Sequence, residues 1–424
     1  MKKSRARLTV ILASVLFMVA ACYDTSRPDR PARDPAQQNV RSHNSNSPGT
    51  VSLTYENEVI GTEIEDGDCH DPDCSPVAGG GVILFSDGEC RLQAVDAKTG
   101  KRKWRFAPEK GADYFPVVYD GSAYVAVSKR LYALDVKTGR VRWKRKFKGY
   151  VNTPKLAGGL LLFTANDESI YAVSAKTGKR KWRYKTEDPN CTIFLADEKR
   201  AYIESECDIH AVDLETGKRA WRYDTDGCSP LALAASQGMV CAGLGDGTII
   251  ALDAETGHES WKLKTEFDTP LVRADGDSLY FGNWLRLQAV DVRTGEVKWL
   301  SEKGYNRVGY ITAIADGEIY FDDADFIYSV NALTGQESWR YQRKEWDHSP
   351  LVIADKKIFF TDGLDFYAVD APTKKQLWKI KLNEDNGVYT APVVTSGAVN
   401  FIEGCAVMSA ADIKTGKLRW TFTP

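Results

Sequence analysis

At 424 residues the chain exceeds one small domain and leaves room for two or three ordinary domains or one long all-β array. Hydrophobic residues make up 43% of it and aromatics 11%, with 34 glycines, a composition that excludes a disordered or collagen-like chain. A formal net charge of -2 leaves no overall field of one sign to hold nucleic acid, which is therefore not an expected partner.

At the N-terminus, Lys2, Lys3, Arg5 and Arg7 precede an apolar run from Leu8 to Val19, which has the charge and length of an export signal and is too short for a comfortable bilayer span. The run ends Val19-Ala20-Ala21-Cys22, which resembles the lipobox of bacterial lipoproteins. That resemblance implies a signal peptide over residues 1–21, cleavage before Cys22 and a diacylglyceryl group on its thiol. Tyr23 stands where such lipoproteins often carry an inner-membrane retention aspartate, so sorting to the outer membrane is implied. Residues 22–49 hold Pro28, Pro31, Pro35 and Pro48 among Ser, Asn, Arg and Asp and have almost nothing to bury, so they read as a flexible tether. The folded body is expected over residues 50–424.

Nine cysteines, less Cys22, leave eight in a chain bound for an oxidising compartment, where disulfides are plausible. Cys69 and Cys74 flank the acidic loop His70-Asp71-Pro72-Asp73 closely enough to clip it. Cys191 and Cys207 lie symmetrically about a hairpin turn near Asp197-Glu198-Lys199, where antiparallel pairing would bring them face to face. The spacing assigns no partners to Cys90, Cys228, Cys241 and Cys405. There is no C-x-x-C pair, and the histidines at 43, 70, 210, 258 and 348 are scattered, which argues against zinc. Asp66, Asp68, Asp71 and Asp73, like Asp322, Asp323 and Asp325, have the chemistry of Ca2+ ligands but read better as solvated loop charge. No metal or other cofactor is expected.

From Asp96 onward one pattern, D-x-x-T-G-x-x-x-W, recurs nine times at intervals of about 39 or 40 residues. It places Trp104, Trp143, Trp182, Trp221, Trp261, Trp299, Trp339, Trp378 and Trp420 in phase. Each unit reads as four short strands, exemplified by Tyr114–Val118, Ala123–Val127, Leu131–Leu134 and Val141–Lys146. The Asp-x-x-Thr-Gly stretch is a tight turn in which Asp bonds its own backbone and Gly supplies a positive φ. Ser174 and Asn331 replace the Asp and keep a short polar cap, whereas Lys374 replaces the Gly and predicts a strained or differently shaped turn. Such a small sheet has two apolar faces and must stack on its neighbours, with the flat Trp wedged between units. Lys101, Arg102, Lys103 and Arg105 on the last strand read as guards against edge-to-edge pairing.

The run A-V-D-A-K-T-G-K-x-x-W, from Ala94 to Trp104, resembles the PQQ-type β-propeller repeat of quinoprotein dehydrogenases and of the BamB family of outer-membrane assembly lipoproteins. The resemblance extends from about Ser75 to Pro424 and implies an all-β propeller; relatives usually have eight blades, and nine units occur here, so eight or nine four-stranded blades are expected. Thr50 to Ile60 also alternates like a strand and could complete a blade or cover an edge. Quinone enzymes of this kind carry an adjacent Cys-Cys pair and long loops around the cofactor; this chain has neither, and no nucleophile and base recur at a recognisable spacing. The expectation is a non-catalytic lipoprotein of the outer membrane, facing the periplasm, that binds other envelope proteins. Its role would be scaffolding in β-barrel assembly or, alternatively, that of another extracytoplasmic adaptor or ligand-binding propeller.

Overall fold

A computed structural model describes residues 75–424, apart from residues 88, 90, 109–114, 187, 189–190, 206, 266–270, 283–285, 303, 306–307, 309–310, 324, 345–349, 383–389 and 405–406. Cys22, Cys69, Cys74 and the segment Thr50 to Ile60 lie outside the described residues. The described elements are thirty-six strands in nine four-stranded antiparallel sheets, so the open choice between eight and nine blades falls to nine. Blade 1 comprises β1 (Val77–Gly79), β2 (Val82–Ser86), β3 (Leu92–Asp96) and β4 (Arg102–Phe106), paired in that order. Blade 2 repeats it with β5 (Val117–Tyr119), β6 (Ser122–Val127), β7 (Arg130–Asp135) and β8 (Val141–Lys146). β8 coincides with the strand read from the sequence, whereas β5 begins only after Pro116, which has no amide hydrogen to give a ladder.

The repeated turn explains the repeated sequence. Between β3 and β4, Asp96 Oδ1 accepts the amides of Lys98 and Thr99 at 3.1 and 3.0 Å, and the Gly100 amide closes on Asp96 O at 2.8 Å. Gly100 has φ 67°, a conformation that costs a side-chain-bearing residue on the order of 1 kcal/mol. Lys374 adopts φ 58° and keeps the same bond, its amide to Asp370 O at 2.8 Å, so the eighth turn retains its shape and bears the strain.

In every blade the pairing of third and fourth strands slips by one residue just before the tryptophan: Ala94 faces Trp104 but Val95 faces Arg102. Such a bulge sharpens the twist of the outer strand. The extra residue, Lys103 in blade 1, folds back on the turn carboxylate, Asp96, at 3.2 Å; Arg142 does the same to Asp135 at 2.7 Å and Arg419 to Asp412 at 2.7 Å. The Arg142 guanidinium and the Thr138 hydroxyl hold the Asp135 carboxyl down to about 2.

The core lies between blades. β2 is buried along its whole length because neighbouring sheets cover both its faces, and the side chains of blades 1 and 2 form one apolar cluster from Leu84 to Tyr132. First strands of successive blades approach one another, which gathers them at the axis and leaves fourth strands at the rim. The ring closes where β33 (Val393–Thr395), β34 (Ala398–Glu403), β35 (Val407–Asp412) and β36 (Leu418–Phe422) meet blade 1. Ile83 and Phe85 of blade 1 pack there with Ile402 and Met408 of blade 9, and among the described residues no strand is exchanged between the two sheets.

Candidate functional site

The nine tryptophans sit at the seams. Eight of their indoles donate to a main-chain carbonyl of the following blade: Trp104 to Val136, Trp143 to Ala175, Trp182 to Leu214, Trp221 to Ala254, Trp261 to Val292, Trp299 to Ala332, Trp378 to Ile413 and Trp420 to Ala97. Each such ring also covers the turn glycine of that blade; a Cβ on Gly257 would lie 2.5 Å from the Trp221 ring, and one on Gly100 2.6 Å from Trp420. At the eighth turn Lys374 stands in place of the glycine, and Trp339 of the preceding blade is, among the described residues, the tryptophan without this bond. Lys374 Nζ instead reaches Ser329 Oγ at 2.9 Å and Tyr320 Oη at 3.1 Å in blade 7. The rings are committed to packing and offer no open ladder for ligand stacking.

Cys191 and Cys207 are not bonded to each other, which corrects the pairing expected from their spacing. The hairpin pairs Thr192 with Glu204 and carries a bulge between Ile193 and Leu195, so its centre falls short of Lys199 and its register does not set Cys191 against Cys207. Cys207 lies beyond, in the next turn at φ 67°, with its Sγ 3.1 Å from Ser229 Oγ, while Cys191 is buried.

Titratable groups inside the ring are absorbed by seams and turns. His210 is buried between blades 3 and 4, its Nδ1 3.0 Å from Tyr184 Oη, and burial together with the Arg219 and Arg222 charges lowers its pKa to about 4. Asp322 pairs with the buried Arg343 at 2.6 Å; Asp323 accepts the Phe326 amide at 2.7 Å and the Tyr328 hydroxyl at 2.9 Å. Asp322 and Asp323 are thus structural partners and not solvated charge, whereas Asp325 is exposed, and among the described residues no group of three or more His, Cys, Asp or Glu is placed to hold a metal. Near the axis Lys155 Nζ and Arg273 Nε donate to Phe194 O and Ile311 O of the following blades, at 2.8 and 3.4 Å. A cleft of about 650 Å3 opens at the ring closure beside Gly79–Val82, Lys98, Lys137 and Ser396, and two of its cations, Lys103 and Arg419, are already paired with aspartates.

The rim is the surface that differs most around the ring. The outer strands of blades 1 to 4 are β4, β8, β12 (Arg180–Lys185) and β16 (Arg219–Tyr223); they read RKWRF, VRWKRK, RKWRYK and RAWRY and carry thirteen exposed Lys and Arg with no acid. The outer strands of blades 5 to 9, ESWKLK, VKWL, ESWRYQ, QLWKIK and LRWTF, carry seven cations and two glutamates. The reading of single strands missed this imbalance, which a blade-by-blade count of charge discloses.

Comparison with known proteins agrees with this architecture. Among solved structures, BamB from Moraxella catarrhalis is similar with a TM-score of 0.51 and 17% identity over 73% of this chain and 97% of that one. The computationally designed protein Ika8 gives 0.56 at 14% identity, covering 72% and 96%, and the dihydro-heme d1 dehydrogenase NirN gives 0.53 at 11%, covering 74% of each. At these identities the likenesses speak for the fold alone. No curated sequence matches the chain. The sequence profile of the outer membrane protein assembly factor BamB family matches residues 88–300 and 323–423. By that match, which takes in most of its length and all nine seam tryptophans, the chain belongs to the BamB family.

Proposed function

We propose that this protein is a non-catalytic scaffold of the bacterial envelope, anchored in the outer membrane through Cys22, facing the periplasm, and holding other proteins during β-barrel assembly. The observation that carries the reading is the family match across almost the whole propeller. Its chemistry is consistent with binding: seams consume the aromatic, histidine and carboxylate groups, and the varied features lie on the rim and the loops. The test is a mild-detergent pull-down of the lipidated protein from its native envelope. Recovery of a β-barrel insertase supports the reading, and recovery of no envelope protein overturns it. Cys22→Ser should release a folded protein into the periplasmic fraction; retention of that variant on outer membranes after a salt wash would remove the lipid from the account.

A further inference from the structure

Every blade of a propeller ends in an edge strand, so protection against edge-to-edge pairing is needed equally at all nine. The charge is not shared equally: thirteen cations and no acid lie on four outer strands, against seven cations and two acids on the other five. Edge protection alone does not explain that difference. The excess peaks in blade 2, where six of the nine residues from Arg140 to Lys148 are basic. Along β8 every residue but Trp143 is exposed, and Val141, at 48% exposure, adds an apolar contact among the charges.

We propose that β8 is the docking edge for an acidic, extended segment of a partner polypeptide, which adds to blade 2 as a fifth strand. Deepening the scaffold reading on which it rests, this names the surface and the chemistry of the partner. Among the described residues β8 pairs with β7 only, so its outer side presents alternate main-chain amides and carbonyls that another strand satisfies in register. Side chains alternate across a strand: Lys144 and Lys146 fall on one face of the sheet and Arg145 on the other. A flat anionic surface meets one of those faces, whereas an inserted strand with alternating carboxylates meets both. Cations of the adjoining outer strands, such as Arg105 and Arg180, extend the complementary field and steer the approach.

The probe is a short labelled peptide alternating glutamate and valine, with a glutamine-for-glutamate counterpart, measured by fluorescence anisotropy on the full-length protein. K144E/K146E should weaken binding by about tenfold, while K379E/K381E on blade 8 should change it by less than about twofold. Both variants are first required to match the parent in melting temperature; if K144E/K146E fails, Lys144→Gln with Lys146→Gln takes its place. Hydrogen exchange at β8 should slow when the peptide binds. Equal losses in the two variants, equal binding of the glutamine peptide, or unchanged exchange at β8 would overturn the proposal. Heparin displacing the peptide while itself binding in a β8-dependent way, with no protection of β8 amides, would assign the arc to a sulfated or phosphorylated polymer instead. A pull-down that still recovers envelope partners from K144E/K146E sinks docking on β8 and leaves the scaffold reading intact, whereas an empty pull-down from the parent sinks the scaffold reading.

Discussion

Gly257 and Trp221 illustrate what one seam contact is made of: a large ring over a bare backbone, with its N–H bonded to Ala254 O at 3.0 Å. Truncating Trp221 to Ala removes the ring, the bond and the cover of that turn, and should cost about 3 to 5 kcal/mol in chemical denaturation. Trp339→Ala should cost about 1 to 2 kcal/mol less, because Trp339 is more exposed and has no such bond to lose; equal losses would mean that the hydrogen bond and the glycine seat contribute nothing. His210 gives a second test at this scale. Its pKa is about 4 in the fold against an ordinary 6.5, so between those values the unfolded chain binds a proton that the folded chain refuses. Stability should therefore be full above about pH 6.5 and fall as pH drops toward 4, by up to about 3 kcal/mol from this group. Urea denaturation across that range should show a smaller fall in His210→Gln than in the parent.

At the scale of the element, strands and turns were legible because each unit repeats the same local chemistry. The period-2 alternation locates β8, and the Asp-x-x-Thr-Gly stretch carries its own hydrogen-bond scheme, so both are local and readable. Register was not local. The turn is centred between Glu198 and Lys199, and the bulge between Ile193 and Leu195, which leaves no sequence mark, slips the pairing by one residue more, which is why a symmetric count about Lys199 misplaced Cys191 against Cys207. The bulge before each tryptophan was hidden for the same reason, and with it the use of Lys103 and Arg142 as partners for the turn aspartates. A thiol reagent applied without denaturant tests the corrected register: Cys207 and Cys228, which are partly exposed, should be modified ahead of Cys191 and Cys241. Burial also raises the Cys191 thiol and pushes that of Cys241 up to about 12. Co-protection of Cys191 and Cys207, both reappearing only after reduction, would restore the original pairing.

For the whole molecule the question is what makes nine units a closed ring when each blade is one continuous stretch of chain. Many rings could be latched by sharing strands between first and last blade; here β33 to β36 form a complete sheet of their own and meet blade 1 through side chains. The closing seam uses the same parts as seven of the other eight seams, the exception being that of Trp339 and Lys374: Trp420 donates to Ala97 O at 3.3 Å, and its ring lies against Gly100 as Trp221 lies against Gly257. Chain continuity is therefore interchangeable among these eight seams, since each presents similar packing whether or not a peptide connection crosses it. A circular permutant that opens between Asp226 and Gly227, both exposed in the connection from β16 to the next blade, and joins Pro424 to Ser75 by a flexible linker of about that connection's length, should fold to the same ring. Its melting temperature should stay within about 5 °C of a parent spanning the same residues, with an unchanged far-ultraviolet dichroism spectrum. A permutant that melts in two steps, or only far below the parent, would mean that the seam between blades 9 and 1 is weaker than the rest and that the covalent links elsewhere hold the ring in shape.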